Sequence, residues 1–217
     1  MRVNKEVLIV PIDEFGIAVA TELQAQSPWT SFVIAEWEQV AKQWDAWNCV
    51  TTIVVSARPT PVIDEQVNEH VFGLGGSFLK VRLDSFRLRI GPVVGPGHGV
   101  CWQCCMLRER QHSAAPMFSE AREKFYRHAS KCVAGWIPAA AEIAAHRVNG
   151  LLDKLAQDLP CGGEFWEINL LTSAVQSGHA LGVDGCSSCG LQISPAERTT
   201  GHLAAVLECL LEEASLS

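Results

Sequence analysis

The sequence predicts an α/β fold: a doubly wound, mainly parallel sheet followed by a C-terminal part that cysteines tie together. Three observations indicate this. Short apolar runs alternate with helical patterns over the first 85 residues, the rhythm then stops, and two distant Cys-x-x-Cys pairs lie in the second half. Parallel strands need helical crossovers, so the alternation predicts a parallel sheet with helices on both faces.

The first half begins with a buried strand. Val7 to Val10 is a continuous apolar run, typical of a strand covered on both faces, and Pro11 ends it. A helix is predicted from Glu14 to Ala25, where apolar residues recur at helical spacing. The same alternation predicts strands at 31–35, 52–56 and 78–83 and helices at 40–47 and 62–71.

The second half follows a different pattern. Phe86 to Ile90 alternates apolar and basic residues, which predicts a strand with one face in water. Gly91 to Gly99 holds four glycines and two prolines and is predicted to be a loop. A long helix is predicted from Ala139 to Ala156, and a strand from Phe165 to Leu171. The last predicted helix follows a capping box and carries the stripe Leu203, Val206, Leu207, Leu210 and Leu211.

The composition excludes several classes of function. The length of 217 residues fits a single domain over 1–217, with halves at 1–85 and 86–217, and 48% apolar residues support a large core. The formal charge is −7 and there is no Lys/Arg block, so no nucleic-acid-binding surface is expected. No apolar run reaches the roughly 18 residues of a membrane span. No secretory signal precedes the first strand, so we expect a cytoplasmic protein.

Nine cysteines, an odd number without an export signal, indicate metal binding rather than disulfides. Cys101/Cys104 and Cys186/Cys189 each present two thiolates from a tight turn, and two such turns complete a tetrahedral cage. Because 81 residues separate the pairs, the ion would staple distant segments of one domain. Four protein ligands leave no open position, so we predict structural zinc. A dithiol redox pair, plain buried cysteines and an iron–sulfur cluster are the alternatives.

The other cysteines and the histidines lack this spacing. Cys105 follows the first pair, and a helix starting there would turn it away from the ion, so we expect a buried small residue rather than a fifth ligand. His98 is the one histidine close to the cage, either as a ligand or as a loop residue facing water. Isolated cysteines in apolar surroundings are expected in the core: Cys49, Cys132, Cys161 and Cys209.

A nucleotide would bind at the first strand–turn–helix of such a fold. A phosphate cradle needs several glycines and a helix N-terminus free of negative charge. The turn has Gly16 alone, and Asp13 and Glu14 would repel phosphate. Glu36 occupies the place of a ribose-binding acid, but without the glycine turn we interpret it as an acid at a helix start. We therefore expect no productive ATP binding by this chain.

One segment resembles a known family. Ile90 to Cys104 reads IGPVVGPGHGVCWQC and is followed by Arg108 and Arg110. With a long helix, a strand and a second Cys-x-x-Cys downstream, it is similar to the cyclodehydratase-partner branch of the ubiquitin-activating-like (ThiF/MoeB) superfamily. That branch serves the biosynthesis of thiazole- and oxazole-modified peptides. The order of elements matches from Val7 to Cys189. The resemblance implies a degenerate ThiF-like, Rossmann-like domain with a zinc-stapled C-terminal part.

The resemblance also implies a partner role. In such clusters a YcaO-type enzyme uses ATP to activate a backbone amide of the precursor peptide, and a Cys, Ser or Thr side chain closes the azoline ring. The ThiF-like partner binds the precursor and presents it, so no catalytic residue is expected here. Many partners carry a winged-helix leader-binding module before the first strand, where this chain has six residues. A separate recognition protein, or another surface of this chain, would then bind the leader.

Two enzyme functions remain as alternatives. An adenylating ThiF-like enzyme would activate a carboxylate and needs a magnesium-binding acid after the third or fourth strand, where Asp84 stands. A nicotinamide-dependent oxidoreductase would need the same glycine turn that this chain lacks.

Protein contacts are expected from the aromatic residues. Seven tryptophans accompany one tyrosine, and several either complete the core or form binding hot spots: Trp37, Trp44, Trp47, Trp102 and Trp136. The segment Phe118 to Pro138 interrupts the crossover to the long helix. Its cations suit an acidic leader peptide, so we expect peptide or partner contacts from Arg122, Lys124, Arg127 and Trp136. A homodimer, a YcaO contact or both would use such a surface.

Overall fold

The computed structural model describes residues 6–27, 31–43, 51–129 and 135–190. They form one seven-stranded sheet of order β2-β1-β3-β4-β5-β6-β7. The strands are β1 (Val7–Pro11), β2 (Phe32–Ile34), β3 (Thr51–Ser56), β4 (Ser77–Asp84), β5 (Arg87–Val94), β6 (Glu164–Asn169) and β7 (Val175–His179). The helices are α1 (Glu14–Gln26), α2 (Trp37–Lys42), α3 (Pro61–Gly73), α4 (Trp102–His112), α5 (Pro116–Tyr126) and α6 (Pro138–Ala156).

The first four strands confirm the predicted parallel sheet. β2, β1, β3 and β4 run parallel, with one helix between each consecutive pair in the chain. β1 lies between β2 and β3, so the strand order reverses there, and the loops after β1 and β3 lead to helices on opposite faces of the sheet. Ligands of open α/β sheets bind at such a switch point. The fold therefore directs attention to the turn after β1 and to the neighbouring strand ends.

The last three strands pair antiparallel, and one prediction in this part is wrong. The segment Gly91 to Gly99 is not all loop, because β5 continues to Val94. Gly91 adopts a φ of 92° against the β6 backbone, where a Cβ would come within 2.4 Å of the Glu164 carbonyl oxygen. The β4–β5 register also shifts between Leu79 and Val81. A β-bulge therefore absorbs the Gly-Pro dipeptide, and the strand resumes beyond it.

Two apolar cores cover the two faces of the sheet. On one face α1 and the alanine-rich α6 pack together, and the small side chains of Ala140, Ala144 and Ala145 lie fully buried. On the other face α3 and α4 pack against Leu8, Val54 and Phe78. The cysteine pairs belong to this second core. The long helix predicted from Ala139 to Ala156 is confirmed and closes the first core.

The tryptophans that the structure describes pack against these cores. Trp102 is buried and lies 5.5 Å from the Phe78 ring, and Trp136 makes an edge contact with Phe15 at 5.9 Å. Trp37 is partly buried against the second core. Other predictions lie outside the described residues: the helix after Ser194, Trp44, Trp47, Cys49, Cys132 and Cys209. Among the described helices, none combines the length and apolar character needed to cross a lipid bilayer.

Candidate functional site

The four predicted cysteines meet in one cage. The sulfur atoms of Cys101, Cys104, Cys186 and Cys189 all lie within 4.8 Å of one another, and three of them are buried. The Sγ–Sγ distances are 3.6 Å for Cys101–Cys104, 3.7 Å for Cys101–Cys186 and 3.7 Å for Cys104–Cys189. Sulfurs about 2.3 Å from a tetrahedral zinc would be separated by about 3.8 Å. The cage thus has the size expected around a single ion.

Each pair is positioned by its own backbone turn. Gly99, with a φ of 68°, turns the chain into α4, and Cys101 caps the helix by accepting a hydrogen bond from the Cys104 amide. Gly185 and Gly190 flank the second pair with φ values of 68° and 64°, which favour glycine. Asn68 of α3 joins the two turns. Its Oδ1 accepts from the Trp102 amide at 3.0 Å, and its Nδ2 donates to the Ser188 hydroxyl at 3.4 Å.

The electrostatics of the cage suit a cation. Burial raises the pKa of the Cys101 thiol. Burial also opposes ionisation of Cys186, but hydrogen bonds from the Cys189 and Ser188 amides lower its pKa to about 7. Further amides aim at sulfur, since Cys104 donates to Cys101 at 3.4 Å and Val183 donates to Cys104 at 3.3 Å. Four thiolates, three of them buried, would need a positive charge beside them, which a divalent cation would supply. The residues therefore fit a metal ion.

The neighbouring thiols and His98 stay outside the cage. Cys105 is buried on α4, as predicted, and burial raises its pKa to about 12. Cys161 is buried in the first core, also as predicted. His98 is neither a cage residue nor a loop residue facing water. It is half-buried, its Nε2 lies 2.8 Å from the Ser77 hydroxyl, and burial lowers its pKa.

The turn after β1 is closed by an acid. The Asp13 carboxylate accepts from the Gly16 amide at 3.1 Å and from the Ala57 amide at 2.7 Å. The Gly16 amide is a donor that an anion at the N-terminus of α1 would use. Gly16 is required by packing, because a Cβ there would lie 2.7 Å from the Val55 carbonyl oxygen. Gly16 therefore allows α1 to pack closely against β3. The Asp13 carboxylate lies where an external anion would bind at the N-terminus of α1.

A small cleft adjoins the metal cage at the carboxyl ends of β3 and β4. Its cavity measures about 40 Å³ and lies between α3, α4 and α5. Arg82 of β4 forms its floor, and Arg110 and Arg122 form part of its wall. A volume of this size holds one small side chain or a few water molecules rather than a whole peptide.

Two charge clusters, one buried and one partly buried, adjoin this cleft, and neither was predicted from the sequence. Lys80 donates to the Asp64 carboxylate at 2.8 Å, with both side chains almost fully buried. Glu109 pairs with Arg82 at 3.2 Å and with Arg89 at 3.0 Å. Arg89 was assigned to a wet strand face, but α4 covers it and leaves 17% exposed. Lys80 and Arg82, two cations between the apolar residues of the strand predicted at 78–83, were the available signal.

The ion pairs of Glu109 with Arg82 and Arg89 make the free energy of unfolding depend on pH in the acid range. Burial would raise the pKa of Glu109, but Arg82 and Arg89 lower it from 4.5 to about 2. Its contribution is therefore complete above about pH 4.5 and is lost as the pH falls toward 2. We expect Glu109→Gln to destabilise the fold by about 2–3 kcal/mol at pH 7, with the difference from wild type shrinking below pH 4. Urea unfolding at pH 7, 4 and 3 measures this, and Glu167→Gln, in an exposed pair, is the control. Equal loss at every pH would contradict the expectation.

The predicted peptide contacts are largely engaged within the protein. Arg122 pairs with Asp84, which is the acid named above as a magnesium candidate. Arg127 pairs with Glu65 of α3 and with Glu123. Lys124 is 72% exposed and pairs along its own helix with Glu120.

Comparisons with known proteins show which solved structures share the fold of this chain. Neither a protein-family model nor a curated protein matches this sequence. A heterocyclase in complex with substrate and cofactor is similar in structure, with TM-score 0.63 and 17% identity over 87% of this chain and 25% of that chain. The heterocyclase TruD gives TM-score 0.62 and 14% identity over 86% of this chain and 28% of that chain. E. coli MccB with ATP gives TM-score 0.61 and 13% identity, over 86% and 66%.

At this identity the likeness shows the fold alone. This chain spans about a quarter of the length of the heterocyclases and about two thirds of MccB. The fold predicted from the sequence is therefore shared with heterocyclases and with MccB.

Proposed function

We propose that this chain is a non-catalytic, ThiF-like partner in the biosynthesis of azol(in)e-containing peptides. It binds the precursor peptide, directly or through a separate leader-recognition protein, and presents it to a YcaO-type cyclodehydratase. Its fold, shared with heterocyclases, and the resemblance of Ile90 to Cys104 support the pathway. The observation that carries the non-catalytic role is the Asp13 carboxylate, which takes up the Gly16 amide at the N-terminus of α1, where a nucleotide phosphate would bind.

We propose that the cage holds one zinc ion through Cys101, Cys104, Cys186 and Cys189. Four thiolates complete a tetrahedral shell and leave no position for substrate, so the zinc is structural. Bound there, the ion ties the 183–190 segment to α4, beside the cleft. Zinc would thereby stabilise the surface that contacts the peptide and the YcaO-type enzyme.

We propose that part of the peptide contact lies at the cleft. Arg122 lines it and is one of the residues predicted for peptide binding. Arg110 stands beside it, 45% exposed and 2.6 Å from Glu123, so its guanidinium can exchange partners at little cost. An acidic or amide side chain of the peptide would insert here, while Lys124, Arg127 and Trp136 lie further along the same segment.

Co-purification with the neighbouring YcaO enzyme and its precursor tests this proposal. We expect wild type to retain the enzyme, the precursor or both, and Arg110→Glu to reduce precursor retention about tenfold. Arg147→Glu is the matched control, because it reverses an exposed arginine of α6, which packs on the face of the sheet opposite α3 and α4. Wild type that retains neither protein would disprove the partner role.

A second candidate is an adenylating enzyme, favoured by the structural likeness to MccB with ATP. It would convert a carboxylate and ATP into an acyl adenylate and pyrophosphate. Pyrophosphate exchange into ATP separates the two functions. We expect none, with or without the precursor, since Asp13 blocks the phosphate position. Measurable exchange would favour the adenylating enzyme.

The assembly that we propose also contains two copies of this chain.

A further inference from the structure

Helix α5 is attached to the protein by its charged side. Arg122 reaches Asp84 at the end of β4, Glu123 pairs with Arg110 of α4 at 2.6 Å, and Arg127 pairs with Glu65 of α3. The partly covered side chains are Ser119, Arg122, Glu123 and Tyr126, which share one face of the helix. No residue of α5 is buried. The helix is therefore held by ion pairs rather than by an apolar core.

The opposite face of α5 is apolar and exposed. Met117 is 85% exposed, Phe118 69% and Phe125 61%, and Ala121 between them is exposed too. An 11-residue helix is marginal in water and ordinarily gains its stability by burying such a face. None of the residues that the structure describes covers it. Large apolar side chains this exposed and this close together mark a contact surface.

The pattern of this face is close to symmetric about its middle. Phe118 and Phe125 lie at equal distances on either side of a midpoint between positions 121 and 122, with the small Ala121 beside that midpoint. A two-fold contact requires such a pattern, since residue i must meet residue j while j meets i. In an antiparallel pair, Phe118 of one helix would pack against Phe125 of the other. Ala121 at the centre would let the two backbones approach.

The charged residues beside the apolar face are arranged about nearly the same midpoint. Glu120 and Lys124 lie on one flank of the apolar face, exposed and one helical turn apart. In the antiparallel pair Glu120 of each copy faces Lys124 of the other, giving two equivalent ion pairs. The segment Pro116–Tyr126 contains two acids and two bases, so its charge does not select a strongly acidic or basic partner. A second copy of this chain is the partner whose charges match.

We infer that the apolar face of α5, formed by Met117, Phe118, Ala121 and Phe125, is the surface through which two copies of this chain associate, with their α5 helices antiparallel. This inference rests on the homodimer proposed above and names its surface. A contact built on one short helix from each copy falls at the small end of the range of interface sizes, so the dimer is in rapid exchange with the monomer.

Analytical ultracentrifugation of the full chain over about 1 to 200 μM tests the surface. We expect a monomer–dimer equilibrium that Phe125→Glu weakens at least tenfold. Ile17→Glu is the matched control, because Ile17 is 58% exposed on α1, on the other face of the sheet, and its substitution should leave the equilibrium unchanged. Wild type that stays monomeric overturns the inference, as does a dimer that Phe125→Glu does not weaken.

A charge exchange makes the test specific for the antiparallel pair. Glu120→Lys places two lysines opposite each other at both symmetric positions, and Lys124→Glu does the same with glutamates. Each variant alone should dimerise several-fold more weakly than wild type, and an equimolar mixture of the two should recover the dimer. Circular dichroism of each variant checks that the helix is retained. No recovery on mixing would overturn the antiparallel arrangement.

Peptide binding separates this inference from the proposed function. If Phe125→Glu abolishes dimerisation and the precursor is still retained, the surface is assigned and the partner role stands. If Phe125→Glu lowers precursor retention and leaves the oligomeric state alone, the face serves the peptide and the dimer inference is overturned. If wild type is a monomer and Phe125→Glu lowers the melting temperature by several degrees, this chain covers the face itself, which also overturns it.

Discussion

Cys186→Ser is expected to release the metal and to lower the melting temperature by about 10 °C or more. A serine hydroxyl stays protonated at neutral pH and is a poor zinc ligand, so the cage is left with three thiolates. Without the ion those sulfurs lose the cation that offsets their burial, and the 183–190 segment loses its tie to α4. Metal analysis of the purified variant and a thermal scan measure the two effects. Wild type should contain about one zinc per chain.

Cys161→Ser is the control for this experiment. Cys161 is as buried as the cage residues but lies in the first core, between α6 and β6. Its replacement should keep the metal and cost about 1–2 kcal/mol for burying a hydroxyl. Metal-free wild type that melts at the same temperature as the loaded protein would show that the cage does not stabilise the fold.

Asp64→Ala is expected to destabilise the fold by about 3–5 kcal/mol at pH 7. The Asp64 carboxylate is the partner of the buried Lys80 ammonium, and the Thr60 hydroxyl completes the cluster. Burial lowers the pKa of Lys80, and Asp64 opposes this by attracting the positive charge. Without Asp64 the lysine must either remain charged in an apolar core or lose its proton on folding. Chemical denaturation of the variant measures the cost.

The stability of Asp64→Ala as a function of pH gives a second test of this explanation. Removing Asp64 lowers the pKa of Lys80 further in the folded state, while the unfolded chain keeps the ordinary value of 10.5. Between those two values the unfolded state binds more protons, so the stability of the variant rises with pH up to about 10.5. The difference from wild type should shrink at pH 10. The double variant Lys80→Met/Asp64→Leu should recover most of the loss, since it leaves no buried charge unpaired.

The cysteine cage could be predicted because its signal is local. A Cys-x-x-Cys pair flanked by glycines states both the ligand type and the turn that presents it, whatever lies between the pairs. The acid in the turn after β1 is also a local signal, since Asp13 directly precedes the predicted helix, where a phosphate-binding turn would have a glycine. The strands β1, β3 and β4 were predicted for the same reason. Each is a short apolar run bounded by residues that end a strand.

Features that depend on distant residues could not be predicted. Arg89 was placed in water because its strand alternates, and only the packing of α4 turns that face inward against Glu109. Gly91 and Pro92 indicate a loop by composition, but contacts with β4 and β6 hold them inside a strand. Arg122 and Arg127 were predicted as peptide contacts from their charge, but their ion pairs with Asp84 and Glu65 could not be predicted, because these partners lie about 40 and 60 residues away in the chain.

The sequence by itself determined which residues could bind a metal, which turn places an acid before the first helix, and where a parallel sheet would form. These properties belong to single turns and single strands, so neighbouring residues decide them. Only the tertiary structure decided that both cysteine pairs meet beside a cleft, that Lys80 and Asp64 are buried together, and that α5 turns its apolar face outward. Each of these depends on which helix covers which part of the sheet, because burial and charge pairing are properties of packed surfaces rather than of chain segments.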